Sequence, residues 1–142
     1  MAEIKITGAA DLGAAIDGRS DDEINTGLAG KYEQTCQQVF DGMVEHFLPE
    51  KAGPESATIQ YDITAPDAVH KFQLKVAGGK AEVLKGAAGP ARVTLALAFP
   101  DFLRLISGKL DGMQAFFSGK LKLSGDMMFA QTMQGWFKQQ GG

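Results

Sequence analysis

From position 57 to 99 the chain alternates between apolar and polar residues. Ile59, Tyr61 and Ile63 are interleaved with Thr58, Gln60 and Asp62. Phe72, Leu74 and Val76 are interleaved with Lys71, Gln73 and Lys75. Ala81 and Val83 follow in the same rhythm, then Val93, Leu95, Leu97 and Phe99, and much later Leu121 and Leu123 between Lys120, Lys122 and Ser124. A period of two puts successive side chains on opposite faces of a strand, so each run predicts a strand that is apolar on one side only. Gly78-Gly79 predicts a hairpin turn, and 86–90 a second turn. Five such strands predict one antiparallel or mixed sheet with a wet, lysine-rich face and an apolar face that helices must cover.

The remaining segments follow a helical period. Ser20-Asp21-Asp22-Glu23 forms a capping box whose acids also complement the helix dipole. Beyond it Tyr32, Cys36, Val39, Phe40, Met43, Val44 and Phe47 make one apolar stripe that runs to Leu48. Gly27 and Gly30 divide this stretch into a short helix and a long one, and Pro49 is expected to end the long one. Further helices are predicted at 100–107, 113–117 and 127–138. In the last of these Phe129, Ala130, Met133, Trp136 and Phe137 share a face opposite Gln131, Gln134 and Lys138. The fold class is therefore α+β in two layers, with 1–28 as an N-terminal arm and short helix and 29–142 as the domain proper. Within the arm, Ile4 and Ile6 suit either a short strand or a loose segment.

Composition changes this picture little. The 142 residues are 44% hydrophobic and 22% charged, ordinary values for one globular domain. A single cysteine excludes an internal disulfide and is weakly consistent with a reducing compartment. Neither a membrane-spanning run nor a secretory leader is read, so a cytoplasmic location is expected. Charge is more informative. Residues 1–69 carry four Lys/Arg and thirteen Asp/Glu, whereas residues 70–142 carry ten and four. The net charge of −3 argues against nucleic acid as a partner. The basic half could touch an anionic membrane surface transiently, or the two halves could simply attract each other.

Reactive chemistry is sparse. His46 and His70 have no Cys or carboxylate at a metal-ligand spacing that recurs elsewhere in the chain, and Cys36 sits on the apolar stripe as a small core residue. The glycines form no phosphate-cradling motif. The expectation is a protein with no catalytic residue, no metal and no cofactor. What stands out is an apolar excess. Met113, Phe116, Phe117, Met127, Met128, Phe129, Met133, Trp136 and Phe137 crowd between positions 113 and 137. Methionine suits surfaces that must fit variable apolar shapes. Three consecutive apolar residues opening a helix, Met127-Met128-Phe129, cannot all face one way. Either some line a cavity or some are exposed.

The stretch 101–130, DFLRLISGKLDGMQAFFSGKLKLSGDMMFA, resembles the signature of the sterol carrier protein 2 domain family. The resemblance rests on Asp101, Phe102, Leu103 and Gly108, then on Gln114, Ala115, Phe116 and Phe117. It continues through Gly119, Lys120, Leu121, Lys122, Leu123, Gly125, Asp126, Met127 and Ala130. The order of elements extends it back to about residue 30. The chain departs from the pattern at Gln131-Thr132-Met133 and lacks the family's peroxisomal tail.

The resemblance implies a five-stranded sheet with helices over one face and a hydrophobic tunnel between the layers. It implies non-catalytic binding and intracellular transfer of a fatty acid, fatty acyl-CoA, phospholipid or sterol-like lipid. The alternative is an accessory protein that presents an apolar substrate, such as a quinone precursor, to pathway enzymes. The ligand would lie against Phe40, Phe47, Leu103 and Ile106 from the first covering helices. Met113, Gln114, Phe116, Phe117, Met127, Met128, Met133 and Trp136 would line it from the last two. Gln114 matches a glutamine that lies beside the tunnel in the family.

Overall fold

The computed structural model describes residues 15–45, 47–52, 56–86, 89–107, 109–134 and 136; within them, the side chains of 52, 131, 133 and 134 lie outside the description. Met133, a predicted ligand contact, thus falls among the undescribed side chains, and His46 and Phe137 lie outside the described residues altogether. The alternating runs become β1 (Ala57–Thr64), β2 (Val69–Ala77), β3 (Lys80–Lys85), β4 (Val93–Ala98) and β5 (Leu121–Gly125). The helices are α1 (Asp21–Gly27), α2 (Tyr32–Glu45), α3 (Pro49–Ala52), α4 (Phe99–Ile106), α5 (Gly112–Phe117) and α6 (Met127–Gln134).

The five strands form one mixed sheet in the order β3-β2-β1-β4-β5. β1 pairs antiparallel with β2 and parallel with β4, while β2–β3 and β4–β5 are antiparallel. The registers align the inward residues into rows across the sheet. One row runs Val83, Leu74, Ile59, Val93; the next Phe72, Tyr61, Leu95, Leu123; the third Ile63, Leu97, Leu121. Gly78 and Gly79 both adopt positive φ, the backbone that a two-residue hairpin between β2 and β3 needs.

The outward face is less wet than the alternation predicts. Gln60 and Gln73, both at polar positions, are buried. Gln73 Nε2 donates to Gln60 Oε1 at 2.8 Å and to the Gly89 carbonyl at 2.7 Å, and Gln60 Nε2 donates to Asp62 Oδ1 at 2.9 Å. The chain must travel from the β3 edge back to β4, and Gly89 on that path sits over the middle of the polar face.

Four helices pack against the sheet, and α1 packs on α4. α2 covers the β3 side, α4 lies on β4 and β1, α5 on β5 and α6 on β4. Ser20 caps α1 as the sequence predicts: its hydroxyl accepts from the Glu23 N–H at 3.2 Å, and Glu23 Oε1 accepts from the Ser20 N–H at 3.1 Å. Replacing Ser20 by alanine is expected to cost about 1 kcal/mol in urea-induced unfolding. Helix bounds differ from expectation in two regions: the last helix, expected over 127–138, is Met127–Gln134 with Trp136 in a turn, and the stretch around Pro49 is divided differently. α2 stops at Glu45, and Pro49 opens the short α3 rather than closing the long helix, because a proline tolerates the first helical turn where its missing N–H is not needed.

The segment from Ile16 to Leu28 belongs to the core. Ile16, Ile24 and Leu28 are buried among α2 and α4 residues. Arg104 of α4 fastens it: the guanidinium donates to Asp21, to Asp101 Oδ1 at 3.1 Å and to the Arg19 carbonyl at 3.2 Å. Lys109 with Asp17 at 3.1 Å and Lys85 with Glu33 at 3.0 Å also join the basic half to the acidic half. Of these pairs, Lys85 with Glu33 joins the sheet to a helix.

Candidate functional site

The apolar layer between helices and sheet runs over β1, β2, β4 and β5. Over β1 and β2 it is filled. Phe40 of α2 is fully buried, with ring centroids 5.1 Å from Tyr61, 4.9 Å from Phe72 and 5.1 Å from Phe102. Tyr32 packs edge-on to Phe99 at 5.1 Å beside them. Leu103 is buried with this knot. Cys36 is buried on the same helix, and burial pushes its thiol up to about 12, so it holds its proton at neutral pH. Burial also raises the Tyr61 phenol above its ordinary range.

Over β4 and β5 the cover comes from α5 and α6. The floor is Leu95, Leu97 and Leu121, buried, with Leu123 half-buried at the edge. α5 contributes Ala115 inward and Phe116 half-buried; α6 contributes Phe129 and Ala130. Ile106 at the end of α4 and Phe47 after α2 are also half-buried and pack against the core. Trp136 is buried edge-on to Phe129 at 5.3 Å, and its carbonyl accepts from the Leu48 N–H at 2.6 Å.

A polar clasp starts α6. Asp126 Oδ1 accepts from the Phe129 N–H at 2.9 Å, and Arg92 Nε donates to Asp126 Oδ2 at 3.2 Å. The Arg92 guanidinium also lies 4.2 Å from the centroid of the Phe129 ring, within cation–π range. The Phe129 N–H, assisted by Arg92, holds the Asp126 carboxyl below its usual range. Asp111 likewise caps α5 by accepting from the Gln114 N–H at 3.1 Å. Neither of these caps stood out in the sequence, although an Asp one or two residues before an apolar helical run is a usable signal.

The predicted contacts therefore separate. Phe40, Leu103 and Trp136 are buried, and Phe47, Ile106 and Phe116 are half-buried at the layer. Met113 (44% exposed), Met127 (42%), Phe117 (76%) and Met128 (79%) project to solvent. The Gln114 side chain is exposed as well. Helix geometry explains the division. With about 100° per residue, Ala115 facing the sheet turns 113, 114 and 117 away, and Ala130 inward turns 128 outward. Among the described residues no three His, Cys, Asp or Glu side chains converge as a metal site would require.

Residues 46–138 match the SCP-2 sterol transfer family. The chain is 31% identical over 118 residues to the oleate-induced peroxisomal protein POX18 of Candida maltosa, covering 82% of this chain and 83% of that protein. It is 38% identical over 81 residues to the mouse peroxisomal multifunctional enzyme type 2, covering 56% of this chain but only 11% of that enzyme. Among solved structures, sterol carrier protein 2 of Aedes aegypti in complex with palmitate superposes with a TM-score of 0.56 at 16% identity, covering 70% of this chain and 94% of that one. That likeness is one of fold.

Proposed function

The chain belongs to the SCP-2 sterol transfer family, and from that premise we propose that it binds and transfers an apolar ligand without reacting with it. The ligand class is a lipid with a long chain: a fatty acid, acyl-CoA, phospholipid or sterol-like molecule. It would lie in a tunnel over β4 and β5, with the leucine floor below and Ile106, Phe116 and Trp136 around it. Phe40 and Leu103 would close the inner end. The binding unit in this reading is 29–142, with α1 clamped to it by Arg104.

The observation that carries the reading is one continuous apolar layer between the sheet and its helices, with no charged side chain in its buried cluster. The β1–β2 half is a packed aromatic knot. The β4–β5 half sets an apolar floor of Leu95, Leu97 and Leu121 under two short helices of six and eight residues. Each methylene buried there contributes about 0.8 kcal/mol, so a dozen offset the cost of ordering the chain. The Cys36 thiol, held protonated by burial, belongs to the packed core in this reading and takes no part in chemistry. No described helix is long and apolar enough to cross a membrane; action in the cytoplasm is part of the same proposal.

Trp136 is the only tryptophan and sits beside the proposed tunnel. Titrating the delipidated protein with palmitate is expected to change its emission saturably at one ligand per chain. Native mass spectrometry of freshly purified protein is expected to show retained lipid. Silence in both measurements would overturn the reading.

A further inference from the structure

The sulfur atoms of this chain fall into two classes. Cys36 and Met43, both on α2, are buried. Met113 on α5 and Met127 and Met128 at the start of α6 are 44%, 42% and 79% exposed. Among the described residues, the sulfur that an aqueous reagent reaches without opening the fold is therefore three thioethers between positions 113 and 128. The residues that seat the same two helices on the sheet, Ala115, Phe129 and Ala130, are buried and carry no sulfur.

We infer that Met113, Met127 and Met128 form a reversible oxidation site whose oxidant is a hydroperoxide. A thioether lone pair attacks the terminal peroxide oxygen. The S–O bond forms as the O–O bond breaks, and the proton on the transferred oxygen passes to the departing one, which leaves as water or an alcohol. Sulfur is oxidised by two electrons to the sulfoxide and the peroxide is reduced by the same two. The thiol is closed to this route. A thiol reacts as its thiolate, and burial both hides Cys36 and keeps its proton on. A thioether has no proton to lose, so access alone sets its reactivity. A sulfoxide is polar and would disrupt a core. At these three positions its oxygen meets water, while Ala115, Phe129 and Ala130 keep their packing. Oxidation thus turns an apolar surface polar without unfolding the domain, and this holds whether or not the carrier reading does.

The test treats the full folded chain with hydrogen peroxide and follows each sulfur by peptide mass spectrometry. Met113, Met127 and Met128 are each expected to gain one oxygen, Met128 first. All three should react at least on the order of tenfold faster than Met43, which must wait for the fold to open. Cys36 should still alkylate fully once the treated protein is denatured. The rate at the three thioethers should be flat from about pH 6 to pH 8, whereas a thiolate route would quicken about tenfold per pH unit. Circular dichroism should not change, and retention on a hydrophobic-interaction column should fall. The two methionine sulfoxide reductases, one for each epimer, should together restore both mass and retention. The triple variant Met113→Leu, Met127→Leu, Met128→Leu should keep its retention through the same peroxide treatment. Oxidation of Cys36 or Met43 as fast as the three thioethers overturns the proposal. So does a retention loss that persists in the triple variant, a lost helical spectrum on oxidation, or sulfoxides that the reductases leave in place.

Discussion

Replacing Phe40 by alanine is expected to lower the unfolding free energy by about 4 kcal/mol, the usual cost of emptying a buried phenylalanine site. The ring is fully buried and within 5.1 Å, centroid to centroid, of three other aromatic rings. Those neighbours come from β1, β2 and α4, so no single one can collapse into the space without leaving its own contacts. In a domain of this length such a loss lowers Tm by roughly 8–16 °C. The void would be lined by Tyr61, Phe72 and Phe102 and would stay apolar and dry. Palmitate is therefore expected to restore part of the lost Tm, by mass action on the folded state alone. Differential scanning calorimetry with and without palmitate checks both statements. A fall below about 4 °C would mean that the aromatic knot does not hold the layers together. The exposed Phe117 supplies the contrast: its alanine variant should change stability by less than about 0.5 kcal/mol.

The contrast between Phe40 and Phe117 also marks where the sequence was readable. Ile59-Tyr61-Ile63 and Phe72-Leu74-Val76 announced their strands because one-sided burial writes itself as alternation. The capping box at Ser20 and the Gly78-Gly79 turn are local geometries set by neighbouring residues, and both stand where expected. The parallel pairing of β1 with β4 is not local; alternation is the same whichever strand lies alongside. Gln60 and Gln73 looked solvated because nothing in their own strands shows that Gly89 crosses above them. The candidate site was half legible. A crowd of Met and Phe at 113–137 was visible, and the family resemblance indicated what such a crowd could hold. Which of them face the sheet depends on one small residue per helix, Ala115 and Ala130, and on where the sheet stands relative to it. An inward stripe on a helix as short as α5 admits one or two residues, so the remaining apolar side chains have no place but the surface.

Gly125→Ala is the second change with a large expected effect, and it reports on α6 directly. Gly125 ends β5 at φ +96°, a conformation that side-chain-bearing residues rarely adopt. A Cβ there would stand 2.5 Å from the Arg92 carbonyl oxygen and 3.2 Å from Val93 Cα, both backbone atoms that cannot swing aside. That carbonyl accepts the Asp126 N–H at 3.0 Å. Asp126 in turn caps α6 and holds Arg92 over Phe129, whose ring supports Trp136. Backbone strain and the collision together are expected to cost about 3 kcal/mol, lowering Tm by roughly 6–12 °C. The collision also pushes the start of α6 off β4, so the tryptophan emission should shift to the red as Trp136 gains water. Gly119→Ala separates the two causes. Its φ is +82° but nothing lies within 4 Å of the added Cβ, so it carries the strain without the clash. It should lose about 1 kcal/mol and leave Trp136 emission where it was. Equal spectra for the two variants would show that α6 is not held by the turn at Gly125. A red shift confined to Gly125→Ala would identify that turn as the point about which the cover over β4 and β5 lifts.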